Sequence, residues 1–328
     1  MLNAAVIGAG SMGKNHIRTY SSMQDAKIVA IADSDKKMVE SAAKMYGCSG
    51  YTDHKEMMEK EKIDLVSVVV PTAHHHQVAL DCIKKGIHVL VEKPIASTVK
   101  EAEEIISAAK ERNVKLMVGH IERFNPAIIE LKRRLDNNEL GRVFKIDVNR
   151  VGPFPARVRD VGVVIDLAVH DLDIMRYLTN SEVKRISAEI ERKIHSVKED
   201  LVKALIRLEN GTLCTLSVDW LTPTKIRKLY ITGEKGMFVA NYLNQNLYFY
   251  ENAVLNGNRI DYSDSIRGVM EGRMTKFYIK KKEPLLSEIE HFVHCVANNR
   301  DPLVSGDDGL KALEIATQII ESYNESEK

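Results

Sequence analysis

Nothing in the overall makeup of this 328-residue chain ties it to a specialised class of protein. Charge of one sign is not in excess: 47 Lys and Arg face 46 Asp and Glu, for a formal net charge of +1. That balance gives no pointer to nucleic acid or an anionic membrane as a partner, so any basic patch must be local. Cysteine is scarce. Cys48, Cys82, Cys214 and Cys295 are scattered with no C-x-x-C pair, which argues against a disulfide framework and fits reduced thiols in a cytoplasmic protein. No apolar run approaches the ~18 residues of a membrane helix. The first apolar strand begins almost at residue 1, where a signal sequence would stand, so a cytoplasmic location is expected. Internal repeats and low-complexity tracts are lacking. What is left is a globular chain of ordinary balance, 44% hydrophobic and 28% charged. At about 100–200 residues per domain, the length predicts two domains.

The most informative stretch that is present runs from Ala4 to Gly13. It reads G-x-G-x-x-G straight after a short apolar strand, and Lys14 to Ser22 can open a helix. Gly8 permits the tight turn, Gly10 lets the backbone approach a pyrophosphate, and Gly13 allows close helix–strand packing. The phosphates would then meet free N–H groups of Ser11, Met12 and Gly13 at the helix N-terminus. A second apolar, β-branched strand, Lys27 to Ala32, ends on Asp33, twenty residues after Gly13. An acid at that spacing binds the adenosine ribose and repels a 2′-phosphate, so NAD is expected over NADP. Lys36 and Lys37 follow closely and work against that preference.

Along the first ~120 residues strand and helix patterns alternate, which predicts a parallel sheet covered on both faces. Strands are expected at 2–8, 27–32, 64–70, 87–91 and 115–118, with helical patterns such as 36–46 and 77–85 between them. Asn125 and Pro126 read as an N-cap followed by proline at N1, opening a helix through Leu135. Beyond it the pattern changes. Arg142 to Asn149 alternates as a half-buried strand. Asp200 to Leu208 and Thr212 to Trp220 flank Asn210-Gly211, a hairpin signal. Further strands are expected at 226–232, 237–241 and 246–250, surface loops over 251–284, and helices at 286–298 and 307–323. The fold class is therefore α/β. A Rossmann parallel sheet over 1–120 precedes an α+β domain over 121–328 with a large, mostly antiparallel open sheet. Leu216, Val218 and Trp220 alternate along one strand. If the sheet's second face is apolar, a dimer or tetramer should form on it.

Two further segments carry chemistry. Val89 to Pro94 ends a parallel strand in E-K-P, at the edge where open α/β sheets place ligands, and Lys93 there can meet a substrate hydroxyl. Asp166 to Leu178 has helical spacing. Asp166 can cap that helix, and Asp166, His170 and Asp173 share a face, with His170 able to titrate near neutral pH. Either segment alone reads as a surface lysine or a capped helix. His74, His75 and His76 are adjacent and cannot converge on one ion, and His291 and His294 lack a third ligand, so no metal is expected.

The glycine turn, E-K-P at 92–94 and D-x-x-x-H-x-x-D from Asp166 together resemble the Gfo/Idh/MocA family of NAD(P)-dependent sugar oxidoreductases, over nearly the whole chain. The resemblance implies that Lys93, Asp166 and His170 are catalytic and lie beside the nicotinamide and the substrate. It implies that the family's P-(N/T)-x-x-H, matched by Pro71, Thr72 and His75, lies near the cofactor with Glu92, and that the Lys93–Pro94 bond is cis. A narrower resemblance, to the UDP-N-acetylglucosamine 3-dehydrogenases, lies in Val118–Pro126 and Arg150–Arg157. On that reading Arg123, Arg157 and Arg159 supply fork-shaped donors for a diphosphate, and Asn125 bonds a sugar hydroxyl or amide. The expected reaction is NAD-dependent oxidation of a sugar-nucleotide hydroxyl by hydride transfer, with UDP-N-acetylglucosamine going to its 3-keto derivative. The alternatives are a dehydrogenase of a free cyclitol or hexose and a non-catalytic NAD-binding regulator.

Overall fold

In a computed structural model the described residues are 1–155, 161–194, 198–253 and 272–326. Arg157 and Arg159 lie outside them. The chain divides into two compact units. The first takes Met1–Phe124, Ala156–Asp173 and Lys282–Gln318, and the second Asn125–Pro155, Ile174–Lys281 and Ile319–Lys328. This division differs from the expected boundary at 120, because two later stretches return to the first unit.

The first unit is built on six parallel strands: β1 (Leu2–Ile7), β2 (Ala26–Ala32), β3 (Ser49–Tyr51), β4 (Leu65–Val68), β5 (His88–Val91) and β6 (Leu116–Val118). Their order is β3-β2-β1-β4-β5-β6, which puts the reversal of strand order between β1 and β4. Ligands bind at the carboxyl ends of strands at such a switch point. Helices α1 (Ser11–Ser21), α2 (Lys36–Tyr46), α3 (His54–Lys60), α4 (His75–Lys84) and α5 (Val99–Arg112) connect the strands. Every residue of β4 is buried, as a strand covered on both faces requires. β3 and α3 were absent from the sequence reading, since three residues containing Gly50 give no periodic signal.

The second unit begins with α6 (Pro126–Asp136), with Asn125 as its N-cap and proline in the first turn. Its sheet has eight strands: β7 (Val143–Pro153), β8 (Val183–Glu191), β9 (Leu201–Leu208), β10 (Leu213–Asp219), β11 (Leu221–Gly233), β12 (Gly236–Asn241), β13 (Asn246–Glu251) and β14 (Met274–Lys276). The order is β14-β13-β12-β11-β7-β10-β9-β8, antiparallel except for the parallel pair of β7 and β10. At the β9–β10 turn Gly211 adopts φ +86°, which glycine accommodates without strain, and the Thr212 N–H donates to Asn210 Oδ1 at 3.0 Å. Leu216, Val218 and Trp220 are all buried. β14 corrects the expectation of loops throughout 251–284, of which 254–271 lie outside the described residues. α7 (Val169–Thr179), α8 (Pro284–Ala297) and α9 (Gly306–Ser326) complete the elements used below. Among the described residues no helix is long and apolar enough to cross a membrane.

Candidate active site

The glycine turn is sterically dictated at two of its three glycines. Gly8 has φ +102°, and a Cβ there would stand 2.4 Å from the Val69 carbonyl oxygen. A Cβ on Gly13 would stand 1.9 Å from the Gly8 oxygen. Gly10 faces open space, with nothing within 4 Å of where its Cβ would be. It precedes α1, which no side chain caps. A cradle left open in front of an uncapped helix N-terminus suits a pyrophosphate.

Asp33 braces this turn. Its Oδ2 accepts the Ala9 N–H at 2.6 Å and its Oδ1 accepts the Asp35 N–H at 2.8 Å. A groove of about 570 Å³ opens beside it, lined by Gly8, Gly10, Asp33, Asp35, Asp53 and Pro71 among others. Three carboxylates line that groove and no Lys or Arg does. Lys36 and Lys37 are not among its walls; Lys36 lies 3.8 Å from Glu40 on its own helix. A 2′-phosphate would meet three carboxylates and neither Lys nor Arg, so the groove fits NAD better than NADP.

The histidine beside this groove differs from the expected one. His74 lines the groove. His75 is buried, with Nδ1 at 2.8 Å from the Pro94 carbonyl and Nε2 at 2.9 Å from the Val70 carbonyl. Burial holds its pKa below the usual value, against the pull of those carbonyls. It ties two loops together and does not face the groove. Glu92 likewise turns inward. His16 Nε2 donates to its Oε1 at 3.0 Å and the Lys93 N–H to its Oε2 at 3.2 Å. It is a brace between α1 and the turn that carries Lys93. Below it on α8, Glu288 is completely buried and neither of its carboxyl oxygens has a partner. Burial, followed by the nearby Glu92 charge, pushes its pKa well up.

Lys93 and Asp166 meet, as the motifs implied. Lys93 Nζ donates to the Asp166 carbonyl at 2.6 Å and to its Oδ1 at 3.0 Å. The Lys93–Pro94 bond is cis, as expected. Asp166 does not cap an α-helix. It lies in a π turn, Val164–Ala168, directly before α7. π turns recur at functional sites because the extra residue re-aims a side chain. His170 stands in the first turn of α7, with its ring edge-on to that of His120 at 6.4 Å between centroids.

Two substrate-site expectations are corrected. Arg123 is buried and committed to carboxylates: Nε donates to Asp173 Oδ2 at 2.8 Å, and Nη2 to Asp173 Oδ1 at 2.5 Å and to Asp308 Oδ1 at 2.9 Å. A guanidinium so engaged is a structural tie and not a phosphate donor. Asn125 is buried too, accepting from the Ala127 N–H as N-cap and donating to the Tyr242 carbonyl at 3.1 Å. The residues that sequence reasoning passed over are His120, His16, Glu288 and Asp308. His120 had a signal, its position just past the C-terminal end of β6.

Residues 2–120 match the NAD-binding Rossmann domain of the Gfo/Idh/MocA oxidoreductase family, and residues 128–239 match a C-terminal domain of that family. The chain is similar to the UDP-N-acetylglucosamine 3-dehydrogenase of Acidithiobacillus ferrooxidans, 27% identical over 97% of this chain and 96% of that one. A solved structure of that enzyme covers 98% of this chain and 97% of its own, with a TM-score of 0.87. Similarity to the scyllo-inositol 2-dehydrogenase (NAD(+)) of Bacillus subtilis is of the same order, 27% identity over 98% and 94%. Two domain models of one family, in tandem and in the order of the chain, settle its membership: it belongs to the Gfo/Idh/MocA family of NAD-binding oxidoreductases.

Proposed function

We propose that this protein oxidises a ring hydroxyl of a sugar nucleotide, with UDP-N-acetylglucosamine as substrate and its 3-keto derivative as product. The single observation that carries the chemistry is the Lys93–Asp166 pair, with His170 four residues further along the chain. Bound NAD supplies the two-electron acceptor. The Lys93 ammonium, held by Asp166, donates to the substrate oxygen and stabilises the negative charge that develops on it. His170 takes the hydroxyl proton. Asp166 orients the ammonium and offsets its charge. These roles also argue against a non-catalytic regulator, which has no use for the three residues together.

The choice of a UDP-sugar is supported by the similarity to the Acidithiobacillus ferrooxidans enzyme. One observation favours a second reading, a free cyclitol. Arg123 is tied to Asp173 and Asp308, which removes one of three expected phosphate donors. Absorbance of NADH with a panel of UDP-N-acetylglucosamine, free N-acetylglucosamine and scyllo-inositol decides. NAD reduction with the UDP-sugar and not the free sugar supports the first reading. Reduction with inositol alone overturns it in favour of the second.

The same reading includes a homo-oligomer. The eight-stranded sheet presents Tyr230, Val239 and Tyr248 side by side on one face, half-exposed among polar neighbours. That face is the one offered to a second copy. A stable monomer by light scattering at micromolar concentration would contradict it.

A further inference from the structure

β6 ends at Val118 and the chain continues through Gly119 to His120. The Gly119 N–H donates to the Val91 carbonyl at 2.8 Å, and a Cβ on Gly119 would come within 3.1 Å of the Glu92 carboxylate. The backbone thus holds His120 against the turn that carries Lys93. Its side chain is 1% exposed, and neither Nδ1 nor Nε2 has a hydrogen-bond partner. Buried polar groups are nearly always paired, so a ring with both nitrogens unmet calls for a partner that comes and goes. Burial lowers its pKa, while the charges of Asp173, Arg123 and Lys93 act on it from around the site. A neutral imidazole offers one donor and one acceptor. A hydroxyl is the group that answers both. The ring lies edge-on to His170, the residue assigned the proton of the reacting hydroxyl.

We infer that His120 binds a second hydroxyl of the substrate, next to the one oxidised, and so selects for vicinal oxygens. The inference rests on the dehydrogenase reading above. Admitting the hydroxyl takes a rotation of the His120 or His170 ring. At so buried a position the contact forms away from bulk water, where a hydrogen bond counts for more.

His120→Phe fills similar space and leaves no unmet nitrogen, and His120→Gln restores a donor and an acceptor. The test uses whichever panel compound the unmodified enzyme oxidises, together with that compound lacking the neighbouring hydroxyl. His120→Phe should lower kcat/KM at least tenfold, while NAD affinity by calorimetry stays within about twofold and Tm does not fall. His120→Gln should recover a good part of the loss. The deoxy compound should be poor for the unmodified enzyme and no worse for His120→Phe than the parent compound. Unchanged kcat/KM in His120→Phe, or a loss accompanied by a lower Tm and no recovery in His120→Gln, overturns the inference. So does a deoxy penalty that persists in His120→Phe. If the unmodified enzyme oxidises no member of the panel, the dehydrogenase reading fails and this inference falls with it.

Discussion

The two sheets of this chain treat polar residues in opposite ways. In the six-stranded sheet the central strands are buried on both faces, so polar residues collect past the strand ends: Asp33 after β2, Glu92 and Lys93 after β5, His120 after β6. In the eight-stranded sheet the strands alternate. β9 buries Val202, Ala204, Ile206 and Leu208 and turns Lys203 and Leu205 outward. The first arrangement concentrates chemistry at an edge and the second spreads it over a face. A two-sided sheet thus makes a site for a small ligand, while a one-sided sheet makes a surface.

The largest effect that sharpens this contrast compares a lysine from each sheet. Lys93→Ala should cut turnover roughly 10²–10⁴-fold, the loss expected for an acid–base group, with NAD affinity little changed. Lys203 donates to Ser217 on the outer face, and Lys203→Ala should leave turnover within about twofold, as for surface substitutions in general. Steady-state kinetics with calorimetric NAD binding reads both, and equal losses would erase the distinction.

Next in size is a charge placed in each sheet. Val66→Asp in β4 has no face on which to reach water and should cost about 3–5 kcal/mol in urea unfolding. Leu205→Asp on the outer face should stay within about 0.5 kcal/mol for the monomer. Similar costs would mean that the outer face is no face at all.

Glu288 offers a smaller, pH-dependent effect. Its folded pKa is raised above the unfolded value of about 4.3. The folded state therefore keeps a proton that the unfolded state releases, and its contribution to stability falls as pH rises above about 4.3, by up to about 1.4 kcal/mol per unit. Glu288→Gln should be more stable than the unmodified protein at pH 7, with the difference shrinking toward pH 4. A difference that does not vary with pH would show Glu288 to be ionised in the fold.

The smallest effect concerns the cofactor groove. Asp33→Asn removes one of its three negative charges and should narrow the preference for NAD over NADP by about tenfold, the scale of one charge-assisted hydrogen bond. Fluorescence titration with both cofactors measures it, and an unmodified protein that prefers NADP would refute the electrostatic account.

How much of this was legible in the sequence follows from how local each signal is. The glycine turn and E-K-P are each read within a few residues, Asp33 by its fixed spacing from the turn, and the parallel sheet by the alternation of strand and helix patterns; the order of its strands is not in that alternation. Arg123 was misread because its partners, Asp173 and Asp308, lie 50 and 185 residues away. His75 is expected near the cofactor from its match to the motif alone. That His74 and not His75 lines the groove is outside such a match, because helix rotation decides which of two adjacent rings is buried. β8 was missed because most of its outward positions are charged: Lys184, Arg185, Glu189 and Glu191 mask the alternation that Ala188 and Ile190 carry.

The π turn at Val164–Ala168 bears on how such a site can be lost in descent. It amounts to one residue more than an α-helix would hold. Deleting a single codon there, that of Leu167 for example, would let the segment close up as ordinary helix. Residues on its N-terminal side would then swing by about 100° relative to α7. Asp166 would turn away from Lys93, while His170 and the helix behind it kept their places. No single replacement of one amino acid by another has that effect. A comparison of relatives that scores only matched columns would not see that damage.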